Sequence, residues 1–213
     1  MQRFLSRVLR SSLALGFLCL HLATAAQARG DKILVLGDSI SAAYGMSLEQ
    51  GWVALLAGRV AENHPQYTIV NASISGETTA GGLRRLPALL EEHRPNLVII
   101  ELGANDGMRG YPLGTLRDNL TSLVQMSKAA GAGVILLPME IPPNYGSRYT
   151  SGFRRSYVQV AEETDSLLAP FVLDGVATDP ALMQADGIHP TVEAQPALLD
   201  NVLPTIMEAL AQL

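Results

Sequence analysis

Five short, almost unbroken apolar runs, at residues 33–36, 67–72, 97–101, 134–137 and 171–173, most tightly limit how this chain can fold. A strand with one wet face alternates apolar and polar side chains. These runs barely alternate, as expected of strands covered on both faces in a parallel sheet. Parallel neighbours require crossovers, and segments with helical periodicity lie between the runs. Trp52, Leu55, Leu56 and Val60 mark one, and Leu116, Leu120 and Leu123 another, with Thr115 as its candidate N-cap. Phe153, Tyr157, Val160, Thr164 and Leu167 mark a third, and Leu199, Val202, Ile206 and Leu210 a fourth. Pro87 and Pro204 interrupt helical stretches and predict a kink or a late start. The alternation predicts a doubly wound α/β sheet with right-handed crossovers, one that receives ligands outside the carboxyl ends of its strands. The connection over residues 139–151, with Pro142, Pro143 and Gly146, either covers a site or is a surface loop.

The first residues are set apart from the fold. Arg3, Arg7 and Arg10 form a basic front, an apolar run covers residues 13–23, and Ala26-Gln27-Ala28 reads as a cleavage site. Together they predict a secretory signal peptide over residues 1–28, a single domain over residues 29–213, and a periplasmic or secreted protein. The apolar run is shorter than the ~20 residues of a membrane span, so no stable span is expected after cleavage. The only cysteine, Cys19, leaves with the leader, which excludes disulfides, thiolate metal ligands and a cysteine nucleophile. Without the three leader arginines the formal net charge moves from −5 to about −8, which argues against nucleic acid as a partner.

The strand ends share a polar theme. Gly37-Asp38-Ser39 follows the first run and a segment containing Gly76 follows the second; Gly103-Ala104-Asn105-Asp106 follows the third, and Asp186-Gly187-Ile188-His189 comes beyond the fifth. A parallel sheet can gather all four on one rim. Ser39 alone reads as a helix N-cap. As a nucleophile it needs a base, and the chain has no G-x-S-x-G elbow to suggest an ordinary α/β-hydrolase. His64 and His93 end helical segments and read as surface caps. His189 lies three residues after Asp186, close enough for one carboxylate to fix its tautomer and leave the other nitrogen for Ser39; the pair alone also reads as a polar turn. The Ser39 N–H, the Gly76 N–H and the Asn105 amide are candidate donors to a developing oxyanion. Asp38, Glu77 and Asp106 read as structural acids that bond loop backbone.

In these blocks the chain resembles the SGNH or GDSL hydrolase family: Gly37-Asp38-Ser39, Gly76, Gly103-Ala104-Asn105-Asp106 and Asp186-Gly187-Ile188-His189 match its motifs, with Ile40 where the family name has leucine. In length and motif order it is most similar to the bacterial periplasmic thioesterase, lysophospholipase and arylesterase group. The resemblance implies a three-layer α/β/α sandwich on a five-stranded parallel, flavodoxin-like sheet. It implies a serine hydrolase of esters and thioesters, including aryl and lysophospholipid esters, that uses no metal or other cofactor and is expected to be a monomer. By the same resemblance Ser39 is the nucleophile and His189 the base, oriented by Asp186, while the Ser39 N–H, Gly76 N–H and Asn105 amide form the oxyanion hole. Met108, Tyr111, Pro112 and Leu113, together with Ile141, Pro142 and Tyr145, are expected either to shape an acyl groove or to pack a loop onto the body.

Three other functions compete with this reading. A metal-dependent phosphoesterase would gather Asp38, Asp106, Asp186 and His189 around ions, though one histidine is few for such a site. A secreted binding protein would use the same rim as a ligand pocket without chemistry. Within the family, an acetylesterase acting on carbohydrate is the nearest alternative.

Overall fold

β1 (Asp31–Gly37) organises the sheet, pairing in parallel with β2 (Tyr67–Asn71) on one side and β3 (Leu97–Glu101) on the other. Beyond β3 lie β4 (Gly133–Leu136) and β5 (Leu167–Leu168), so the order is β2-β1-β3-β4-β5 with every pairing parallel. The computed structural model describes residues 31–213; the expected leader over residues 1–28 lies outside the described residues. All of β3 and residues 33–37 of β1 are buried, which explains their unbroken hydrophobicity, whereas the edge strand β2 is half-exposed.

Helix α1 (Trp52–Asn63) packs beside α6 (Gln195–Ala211). On the other side of the sheet α2 (Thr79–His93) packs beside α4 (Leu113–Ala129), and α4 beside α5 (Ser147–Thr164). A single-turn helix, α3 (Ala104–Met108), follows β3. The result is the expected three-layer sandwich. Trp52, Phe153 and Tyr157 are its largest fully buried side chains. The chain leaves β1 for β2 on one side but later returns to place β3 on the other. The carboxyl ends of β1 and β3 therefore flank the point where the strand order reverses, where such sheets open a crevice.

Two expectations need correction. The run at residues 171–173 is not the fifth strand. The ladder with β4 is made by Leu167 and Leu168, continues through the Ala169 N–H to the Leu136 carbonyl at 3.0 Å, and ends at Pro170, which has no N–H to offer. Phe171 and Leu173 instead accept turn hydrogen bonds, pack on the core and line a cavity near Ser39, so their hydrophobicity reports burial and not strand pairing. This also ends the third helical segment at Thr164, with Asp165 left-handed at φ 50°, and leaves Leu167 to the strand. Nor does Thr115 cap its helix: α4 begins at Leu113 behind Pro112, a residue suited to a helix start because it lacks the donor that would go unpaired there. Pro87 and Pro204 lie inside α2 and α6, which run through them. His64 caps α1 and His93 closes α2, as read from the sequence.

The junction of β1 with its loop is tight. A Cβ at Gly37 would lie 2.6 Å from Glu101 Oε2 and 2.8 Å from both Ser41 Cβ and Ser41 Oγ. Gly37→Ala is expected to lower the unfolding free energy by about 1–3 kcal/mol through overpacking. Urea denaturation checks this, with a reduced midpoint at unchanged slope as the expected outcome.

Candidate active site

The loop after β1 is a run of turns, not the start of a helix, so Ser39 caps nothing. Its carbonyl accepts the Tyr44 N–H at 3.1 Å and that of Asp38 accepts the Ala42 N–H at 2.9 Å, folding the loop back on itself. Across 150 residues of chain, Ser39 Oγ lies 2.8 Å from His189 Nε2. His189 Nδ1 in turn lies 2.6 Å from Asp186 Oδ2.

The turn carrying Asp186 and His189 is built to hold them. Gly187 takes φ +64°, which glycine adopts without strain. Asp186 Oδ1 accepts the Ile188 N–H at 2.9 Å and the His189 N–H at 3.0 Å. These bonds, with the His189 N–H the largest influence, hold the Asp186 carboxyl down at about 2. An ionised Asp186 accepts from Nδ1–H and leaves the Nε2 lone pair facing the serine hydroxyl.

Two further residues join the halves of this arrangement. The Tyr44 ring lies against the His189 imidazole at 4.2 Å between centroids, and Gln184 Nε2 donates to the carbonyls of Tyr44 at 2.8 Å and Pro190 at 2.9 Å. Sequence reasoning missed both, because no local pattern signals a contact between a loop tyrosine and a glutamine 140 residues away.

The other candidate positions come to the same rim. Asn105 Nδ2 donates to Asp38 Oδ2 at 3.0 Å, which fixes the amide and leaves its second hydrogen free of that bond. Gly76 takes φ +78°, and Arg109 Nη2 donates to its carbonyl at 3.2 Å. Among the described residues, the N–H groups of Ser39 and Gly76 donate to no protein acceptor. Asp106 ties the Asn105 segment to the Gly76 segment by accepting the Thr79 N–H at 2.9 Å and the Thr79 hydroxyl at 2.6 Å. Glu77 accepts the Thr78 N–H and pairs with Arg85 at 3.1 Å. Asp38 Oδ1 accepts the Ile40 N–H at 3.1 Å. All three acids therefore brace loops, as expected. Among the described residues, no three His, Cys, Asp or Glu side chains gather as a metal site would require.

Beneath the rim lies an acid that sequence reasoning passed over. Glu101 ends β3 fully buried, and its Oε2 accepts the Ser41 hydroxyl at 2.7 Å and the Asp38 N–H at 3.2 Å. Its Oε1 is buried with no partner among the described residues. Burial, reinforced by repulsion from Asp38, pushes the Glu101 carboxyl well above its ordinary value. Burial likewise lifts Asp38 to about 6, against the pull of the Ile40 N–H and then of Glu101, His189 and Asn105. The signal available in the sequence was an acid closing an otherwise apolar run.

The expected apolar groove is divided in two. A cavity of about 320 Å³ beside Ser39 is lined by Met108, Met139, Ile141, Pro142, Phe171 and Leu173. Leu113 and Tyr145 line a separate cavity instead, while the Tyr145 hydroxyl donates to the Met108 carbonyl at 2.8 Å.

Residues 35–196 match the GDSL-like lipase/acylhydrolase family. The chain belongs to that family. It is 54% identical to "Esterase TesA" of Pseudomonas aeruginosa over 198 residues, covering 93% of this chain and 98% of that protein. It is 45% identical to "Thioesterase 1/protease 1/lysophospholipase L1" of Escherichia coli K12, covering 87% of this chain and 88% of that protein. The crystal structure of the psychrotrophic esterase EstA from a Pseudoalteromonas species, inhibited by monoethylphosphonate, matches with a TM-score of 0.81 at 46% identity. That match covers 85% of this chain and 99% of the other. Family membership makes the chain an acylhydrolase and accords with the sheet order and layers described above.

The Glu101 carboxyl binds its proton more tightly in the folded state than in the unfolded one. Its contribution to stability is complete below the unfolded value of 4.5 and is lost as pH rises through the higher folded value. Urea melts at about pH 5 and about pH 8 are expected to show wild type losing stability relative to Glu101→Gln as pH rises, because the amide carries no charge.

Proposed function

We propose that the chain is a serine hydrolase that cleaves carboxylic esters and acyl thioesters through an acyl-enzyme on Ser39. The observation that carries the proposal is the unbroken chain from Ser39 Oγ to His189 Nε2 at 2.8 Å and from His189 Nδ1 to Asp186 Oδ2 at 2.6 Å. His189 removes the hydroxyl proton as Oγ attacks the acyl carbon. Asp186, ionised, stabilises the imidazolium that results. The negative charge that develops on the carbonyl oxygen is met by the N–H groups of Ser39 and Gly76 and by the Asn105 amide, preorganised by Asp38. The imidazolium then protonates the departing alcohol or thiol, and water attacks the acyl-serine by the same sequence in reverse.

The apolar cavity beside Ser39 supports an acyl chain as the group retained on the enzyme. Met108 and Met139 in its wall suit chains of varied length, because their thioethers adapt to irregular contacts. Aryl, acyl-CoA and lysophospholipid esters differ mainly in the leaving group, so one acyl cavity serves them all. The leader read at residues 1–28 supports action in the periplasm, and a monomer suffices, since the whole relay comes from one chain.

Steady-state kinetics with p-nitrophenyl butyrate test the assignments. Ser39→Ala is expected to abolish turnover; retained activity would remove the nucleophile assignment. Asn105→Ala is expected to lower kcat by about 10²–10³ with little change in KM, and an unchanged kcat would reduce Asn105 to a loop residue.

A further inference from the structure

The second cavity, of about 680 Å³, lies between the start of α4 and the first turns of α5. Its wall carries three arginines, Arg117 from α4 and Arg148 and Arg155 from α5, and no acid. Among the described residues none of the three forms an ion pair, as is also true of Arg84, Arg94 and Arg109; what sets the three apart is that they line one cavity. Acidic side chains outnumber basic ones in this chain by 20 to 15, so three cations gathered without a counter-charge are not a product of composition. Arg148 is also the second residue of α5, whose positive end disfavours a cation. Such repulsion is relieved when an anion occupies the space, and guanidinium forks match phosphate oxygens closely.

The cavity lies one short turn away from the acyl cavity. A Cβ at Gly152 would lie 2.6 Å from Leu113 Cδ1, so the absence of a side chain there lets α4 and α5 approach closely at the wall of the cavity. The short turn Pro143–Tyr145 separates the two spaces: Pro143 lines the cavity beside Ser39, and Tyr145 lines the arginine cavity. The Tyr145 hydroxyl holds the Met108 carbonyl, and Met108 also lines the acyl side.

We propose that the arginine cavity is a leaving-group subsite that binds phosphate, so that a substrate lays its acyl chain beside Ser39 and a phosphate-bearing alcohol or thiol across the Pro143–Tyr145 turn onto Arg117, Arg148 and Arg155. The subsite rests on the reading of Ser39 as nucleophile and adds the chemistry of the group that departs. Two sources carry such phosphates: the nucleotide end of an acyl-CoA and the headgroup of a lysophospholipid.

The test compares wild type with the triple variant Arg117→Gln, Arg148→Gln, Arg155→Gln on matched substrates with and without phosphate. S-butyryl-CoA is set against S-butyryl-N-acetylcysteamine, and a lysophosphatidylglycerol against the monoacylglycerol of the same chain. The ratio of KM for the phosphate-bearing substrate to KM for its partner is expected to rise at least about tenfold in the variant, the effect of losing one charge-assisted contact. A rise in the first ratio alone assigns the phosphate to the nucleotide, in the second alone to the lipid headgroup, and in both to either. No rise in either ratio overturns the subsite. If wild type turns over none of the four, the hydrolase reading fails separately. Calorimetric titration with inorganic pyrophosphate then decides: saturable binding lost in the variant upholds the cavity as a phosphate site, and no binding by wild type overturns it. The single variant Arg155→Glu, on an exposed helical position, serves the same comparisons should the triple variant fold poorly.

Discussion

All five strands run in one direction, and the gathering of the site depends on that constraint. Parallel strands deliver every carboxyl end to one rim, so loops far apart in sequence become neighbours without any local instruction to do so. Ser39 leaves β1, Asn105 leaves β3, and the turn bearing Asp186 and His189 returns to the same rim after β5. The reversal of strand order between β1 and β3 opens the crevice where the first two of these face each other. A buried sheet also supplies rigidity: residues 33–36 of β1 and 98–100 of β3 are fully buried, so the residues they launch start from fixed positions.

The rim is held by acids in unequal roles. Asp186 is anchored by backbone N–H groups and kept ionised beside the imidazole. Glu101 and Asp38 sit below, where burial favours their protonated forms. Glu101 grips the serine loop through Ser41 and the Asp38 N–H, and Asp38 passes that constraint to Asn105. Gly37 is small because Glu101 occupies the space a Cβ would need. Asp106 performs the corresponding task between the Asn105 and Gly76 segments. Buried polar groups are costly unless satisfied, and Asp38, Ser41, Thr79, Glu101 and Asp106 are each bonded to a loop that carries a candidate reacting group.

The sheet and its order of strands and helices were legible in the sequence because burial on both faces leaves runs such as Leu97–Glu101 with no polar alternation. The fifth strand was not, because the stronger apolar run at residues 171–173 lines a cavity while the two-residue strand Leu167–Leu168 sits inside what reads as helical periodicity. The gathering of Ser39, Gly76, Asn105, Asp186 and His189 on one rim was legible through motifs that combine small residues with polar ones at strand ends. Tyr44 and Gln184 were not: their partners lie 145 and 140 residues away, and nothing at those distances leaves a local pattern. Glu101 left one trace, an acid closing an apolar run, but its bond to Ser41, 60 residues away, left none. The division of the apolar groove in two likewise depends on how one tyrosine hydroxyl reaches a carbonyl 37 residues back.

The central claim is that Ser39 Oγ is activated by His189 to attack an acyl carbon. Treatment with a reactive alkyl fluorophosphonate followed by mass spectrometry of the intact and digested protein tests it most directly. The account predicts one phosphonyl adduct per chain, on the peptide carrying Ser39, formed rapidly and lost when His189 is changed to alanine. No adduct, or an adduct on another serine at the same rate with and without His189, would contradict it.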